Sequence, residues 1–163
     1  DGVTMCTSFI ERCCIDIKRW MNSNYMKLNT NKTELLVIGT PGHLNKVPAF
    51  NVNIGDDCVE VSKQINDLGV VFDRNMNMQT HIREVARNAM YHLHNISKIK
   101  QFLTYSVTEQ VITSLVMSRV DYCNALLAGL PQSTIALLQC VQNCAARILT
   151  GTRKFDQNLS ASF

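Results

Sequence analysis

Five basic residues, His81, Arg83, Arg87, Lys98 and Lys100, gather in one stretch of the second half of the chain. Cations grouped this way are candidates for phosphate contacts, each of which releases counterions and steepens the salt dependence of binding. A solvated helix face accounts for the same charges without a ligand. Asp121 stands in an apolar run, where an unpaired charge is costly, so pairing with Arg119, Arg147 or a helix end is expected. The histidines do not form a dioxygenase centre. Such a site needs two histidines and a carboxylate, usually as His-x-Asp in one strand. None of His43, His81, His92 or His94 has an acid two residues on, and His92 and His94 fall on different helix faces. Cys140 and Cys144 share a helix face and read as core. With seven cysteines, an adjacent Cys13-Cys14 and no CxxC pair, neither a disulfide scaffold nor a zinc knuckle is expected. A reduced cytoplasmic or nuclear setting fits this usage.

These residues must be held by a chain of 163 residues, enough for one domain or two small subdomains. Its 46% hydrophobic content is that of a globular protein, and a net charge of +3 falls short of a dedicated nucleic-acid binder. No apolar stretch approaches the length that crosses a bilayer, so no membrane partner is expected.

Apolar residues at three- and four-residue spacings, Phe9, Cys13, Ile17, Trp20 and Met21, predict an amphipathic helix over about 6–24. The run 33–38 predicts a buried strand. Asn51-Val52-Asn53-Ile54 and Cys58-Val59-Glu60-Val61 alternate around Gly55-Asp56-Asp57, which predicts a hairpin with one wet face. Leu68–Phe72 predicts a further strand, with Gly69 suited to a bulge or a close backbone approach. Beyond Asp73 the period becomes helical. Ile82, Val85, Ala89, Leu93, Ile96 and Leu103 mark the inner face of a long helix, with Glu84, Asn88, Tyr91, Asn95 and Lys98 opposite. Ser106 to Glu109 matches a capping box that starts a second helix, apolar nearly all round and so expected to be buried. Gly129 suits a left-handed C-cap, Pro131 opens a third helix, and Leu137, Val141, Cys144 and Ile148 mark its inner face. The predicted fold class is α+β, an N-terminal helix and small antiparallel sheet followed by a three-helix bundle. The boundaries fall at 1–75, 76–150 and a flexible tail at 151–163.

Several short motifs recur in a fixed order. They are Trp20-Met21, Lys27-Leu28-Asn29 with Lys32-Thr33-Glu34, Leu68-Gly69-Val70 ending at Asp73, Asp121-Tyr122-Cys123-Asn124, Gly129-Leu130-Pro131, and Gln142-Asn143 followed by Ala145-Ala146-Arg147. Together they resemble the stretch of a non-LTR (LINE, jockey or CR1-like) retrotransposon reverse transcriptase that follows the catalytic palm carboxylates. The resemblance covers about residues 6–150. It implies a palm end in the first part and a thumb in the second. It makes Lys32 the candidate catalytic lysine facing the triphosphate, acting electrostatically or as an acid toward departing pyrophosphate. It also makes Leu68, Gly69 and Val70 a primer-gripping hairpin, and places the basic residues of 81–100 against a template-primer duplex. Polymerisation in the intact family uses paired Mg2+ held by carboxylates about 4 Å apart. The family's Phe-x-Asp and Tyr-x-Asp-Asp motifs would lie upstream of Asp1, and Asp56-Asp57 follows Gly55 and is not that hairpin. The expectation is a reverse-transcriptase segment with no metal site or cofactor of its own, inactive by itself and at most a duplex binder. The alternative is a non-enzymatic helical module that self-associates through an exposed apolar face.

Overall fold

Gly2–Ser23 form helix α1, a stretch free of proline. It ends where Tyr25 turns left-handed at φ 58°, so that the Tyr25 amide donates to Asn22 O and the Met26 amide to Met21 O. That paired closure satisfies two orphan carbonyls of the last turn. The computed structural model describes residues 2–55 and 57–152. The chain folds as two units, Asp1–Asn77 and Met78–Phe163.

In the first unit α1 packs on a three-stranded sheet with order β1-β3-β2. Its strands are β1 (Leu35–Leu36), β2 (Asn51–Ile54) and β3 (Asp57–Ser62), and a short helix α2 (Pro41–Leu44) lies between β1 and β2. The predicted hairpin is present in register, with Val52 opposite Val59 and Ile54 opposite Asp57. Val52, Ile54 and Val59 are buried, with Cys14, Leu28, Leu35 and Phe50 packed around them. The wet face carries Asn51, Asn53 and Glu60. The predicted strand over 33–38 shortens to two residues, which join β3 in parallel.

The face of α1 turned to the sheet differs from the expected one. Half-buried positions are Val3, Thr7, Glu11, Cys14, Lys18 and Met21, whereas Phe9 and Trp20 remain 62% and 61% exposed. Glu11 shows why. Its carboxylate accepts the Asn53 amide at 2.9 Å, supplying a partner to the free edge of β2. Burial raises the pKa of the Cys14 thiol, with a smaller push from neighbouring Cys13.

A second hairpin, β4 (Gln64–Asp67) with β5 (Val70–Asp73), pairs Asp67 with Val70 across a two-residue loop. The predicted strand over Leu68–Phe72 thus begins two residues late. Leu68 and Gly69 form the turn instead, both left-handed at φ 49° and 84°, the geometry that fits a twisted two-residue hairpin. Asp73 then fixes the exit, its carboxylate accepting the amides of Asn75 at 2.9 Å and Asn77 at 3.2 Å.

The second unit is helical. Helix α3 (Gln79–Ile99) buries His81, Ile82, Ala86, Ala89, Leu93 and Ile96. These follow the three-and-four spacing of a core-facing stripe. Helix α4 (Tyr105–Ile112) is capped by Thr104, whose hydroxyl accepts the Val107 amide at 3.3 Å. The cap lies two residues before the predicted box because Thr104 is extended while Ser106 is already helical. From α4 the chain passes through a π-turn segment, Thr113–Met117, into the short α5 (Ser118–Val120). Thr108, Ile112, Val116 and Val120 are all buried. A strict period of four stays on one face only where the turns widen, which the π segment provides. The other side of this stretch, including Leu115, Tyr122 and Leu126, is exposed, so it is not buried all round as expected.

Gly129 is left-handed as predicted, but it follows a 3-10 turn (Asn124–Leu127) and caps no α-helix, since the preceding helix ends at Val120; Pro131 immediately precedes α6 (Gln132–Thr150). Helix α6 buries Thr134, Leu138, Val141 and Ala145, while Leu137 is exposed, a small rotation from the expected face. It packs chiefly on α3 and closes at left-handed Gly151, whose amide donates to Arg147 O. Beyond Thr152 the predicted tail lies outside the described residues. The fold class is α+β. Among the described residues no helix is long and apolar enough to cross a membrane.

Candidate nucleic-acid interface

Helix α3 presents its basic residues as a row. Arg83, Arg87, His94 and Lys98 are exposed and follow four-, seven- and four-residue steps, which keep them on one side of a helix. At 1.5 Å per residue the row runs about 22 Å. Met90 lies on the same line, and Tyr91, 65% exposed, sits at its flank with its ring edge-on to His92 at 5.6 Å. Among the described residues, no ion pair ties up Arg83, Arg87 or Lys98. Glu84 is on α3 but only half exposed and set to the side of the row. Such a row offers guanidinium and ammonium donors at intervals of one or two helical turns, suited to successive phosphates of one backbone.

Two of the five expected phosphate contacts have other tasks. His81 is 5% exposed, and burial lowers its pKa against a smaller opposing effect of Glu84, so its neutral form is favoured. Turned inward, its ring is out of reach of a phosphate on the helix surface. Lys100 extends to α6, where its ammonium donates to Ile148 O and, at 3.5 Å, to Leu149 O. There it supplies a cation and donors to the C-terminal carbonyls of the helix. Arg83, Arg87 and Lys98 are exposed on one side of α3, and His94 lies in the same row. Its signal was present in the sequence, four residues before Lys98 and seven after Arg87.

The expected primer-gripping residues sit at and beside the β4–β5 tip. Leu68 is 83% exposed and Gly69 is also exposed, whereas Val70 is buried. A Cβ built on Gly69 meets nothing within 4 Å, so its left-handed backbone, not crowding, favours glycine there. Leucine tolerates that conformation poorly, and the tip therefore holds a strained, solvent-facing apolar side chain.

Lys32 closes a single 3-10 turn, Thr30–Lys32, and is exposed, its amide donating to Asn29 O. Asp121 lies just past the end of α5, exposed, so it interrupts no helix interior and needs no buried partner. Neither Arg119 nor Arg147 pairs with it among the described residues. Also among the described residues, no three His, Cys, Asp or Glu side chains converge as metal ligands would. A groove of about 310 Å³ runs between α4 and α6, lined by Ile112, Met117, Ala145, Ala146 and Leu149 with polar Glu109 and Asn143. Thr113 also lines it, but among the described residues no hydrogen bond joins its hydroxyl to the Glu109 carboxylate. No family model, curated protein or solved structure matches the chain.

Proposed function

We propose that the chain is a palm-end and thumb segment of a non-LTR retrotransposon reverse transcriptase that grasps template-primer duplex without extending a primer by itself. The carrying observation is the α3 row, with Arg83, Arg87 and Lys98 exposed, of one sign, and unpaired among the described residues. The Leu68-Gly69 tip supports the same reading, because an exposed apolar turn suits contact with sugar or base edges. The order of motifs supplies the identity of the duplex. A labelled RNA–DNA hybrid titrated across a salt series tests binding. Each phosphate contact adds about 0.9 to the logarithmic slope for B-form DNA and somewhat less for other forms, so three contacts give roughly −2 to −3. Binding without salt dependence, or none at low salt, contradicts the proposal. A primer-extension assay with Mg2+ tests the non-catalytic part, and nucleotide incorporation overturns it.

The second reading, a non-enzymatic association module, is favoured by a different observation, the exposed apolar side chains on α1. It places self-association in the first unit and asks nothing of the α3 row.

A further inference from the structure

Building on the second reading, we infer that α1 pairs antiparallel with α1 of a second copy of this chain, along a seam of Cys6, Phe9, Cys13, Ile17 and Trp20. The spacing of these residues is three, four, four and three, steps that keep all five on one stripe of the helix. All five are exposed, and the sheet occupies a different flank of the helix, through Val3, Thr7, Glu11, Cys14, Lys18 and Met21. The seam is not flat. Phe9, Arg12, Cys13, Asp16, Ile17 and Trp20 line a shallow depression able to seat a side chain from a facing helix.

Charge selects the occupant and its direction. Arg12 and Asp16 lie one turn apart on the same edge of the seam. When two such helices run antiparallel about an axis beside residue 13, equal edges face each other, and Arg12 of each copy comes within about 3 Å along the axis of the level of Asp16 of the other, inside the reach of its side chain. A parallel pair sets that charged edge against the edge holding Ile10 and Cys14, which carries no charge to answer it. Asp16 also meets Arg19 at 2.8 Å, but both side chains are more than two-thirds exposed and free to exchange partners. Area is sufficient. Phe9, Ile17 and Trp20, with Met5 and Ile10 at the margins, leave roughly 500 Å² of apolar surface per copy. Two copies can bury at most about 1,000 Å² of it, near the lower limit of a specific interface. The pair is therefore reversible, and in it Cys6 lies over the partner's Trp20 and Cys13 faces the partner's Cys13.

The test uses the full chain. Trp20 is the sole tryptophan and 61% exposed. Its emission should shift to the blue as concentration rises, in step with a monomer–dimer transition in sedimentation velocity, with little response to salt. Phe9→Glu with Trp20→Glu should weaken dimerisation at least tenfold while leaving far-UV circular dichroism unchanged, because neither side chain touches the Val52–Ile54–Val59 core. On a background in which the other exposed cysteines, Cys58 and Cys140, are serine, diamide, reduced as two thiols join, should cross-link the parent and Cys6→Ser chains but not Cys13→Ser. A monomer at every concentration overturns both the inference and the second reading. A dimer that survives the glutamate pair, or cross-links through Cys6 and not Cys13, overturns the inference alone and leaves self-association elsewhere.

Discussion

Replacing Leu68 with asparagine separates strain from contact at the β4–β5 tip. Leu68 holds φ 49°, a region that costs an ordinary L residue about 1–2 kcal/mol and that asparagine enters more readily. Its side chain is 83% exposed, so the burial lost on substitution is only about 0.3 kcal/mol. The balance is a gain of about 0.7 kcal/mol, or roughly 4 °C in the melting temperature of a unit this size. Trp20 fluorescence during thermal unfolding reports on that unit. Affinity for an RNA–DNA hybrid should fall a few-fold at every salt concentration, with the salt slope unchanged, because an apolar contact is lost and no phosphate contact. A lower melting temperature would show that Leu68 packs and is not strained. Higher stability with unaltered affinity would remove the tip from the interface.

Lys100→Met removes the charge-assisted bonds to the last carbonyls of α6 and should cost about 2 kcal/mol, lowering the calorimetric transition of the helical unit by roughly 10 °C. Its salt slope in hybrid binding should match wild type. For His81 burial holds the folded pKa below the ordinary imidazole value of 6.5, so the unfolded chain takes up a proton that the folded chain resists. Its contribution to stability is intact above about pH 7 and is lost as pH falls through 6.5 toward the folded value. Urea midpoints should drop between pH 7.5 and pH 5 in wild type and drop less in His81→Gln. Ala89 is fully buried on α3, so Ala89→Leu should destabilise by about 1–3 kcal/mol in urea titration through overpacking.

What was legible in the sequence follows the physics of each element. The β2–β3 hairpin could be read because Val52, Ile54 and Val59 alternate with polar residues around a turn, and burial on one face demands that pattern. Gly129 and Pro131 marked their junction by backbone constraint alone. The inner stripe of α3 was legible because Ile82, Ala89, Leu93 and Ile96 keep helical phase. Strand β4 escaped notice because Gln64, Asn66 and Asp67 leave Ile65 as its lone apolar residue. The burial of α1 misled for another reason. Hydropathy selects the most apolar face, but the face docked on the sheet is a mixed one that carries Glu11 and Lys18 beside Val3, Cys14 and Met21. In the helical unit, nearly uniform hydropathy over 111–127 concealed both the π segment and the exposed side.

The candidate site divides along similar lines. Helical phase placed Arg83, Arg87 and Lys98 on one exposed side, whereas His94 was weighed as a metal ligand and not as a donor. Lys100 could not be distinguished from them, because its partners at 148 and 149 lie far along the chain and become neighbours only after α3 and α6 pack. His81 differs from its basic neighbours only in helical phase, which turns it inward beside Ile82.

The central claim is that the α3 row meets a nucleic-acid backbone, and it is tested most directly by titrating one RNA–DNA hybrid against wild type and against the triple variant Arg83→Gln, Arg87→Gln, Lys98→Gln. All three side chains are exposed, so the fold should survive the change. The logarithmic salt slope should be about −2 to −3 for wild type and shallower than about −1 for the variant. Equal slopes for the two proteins would contradict the claim.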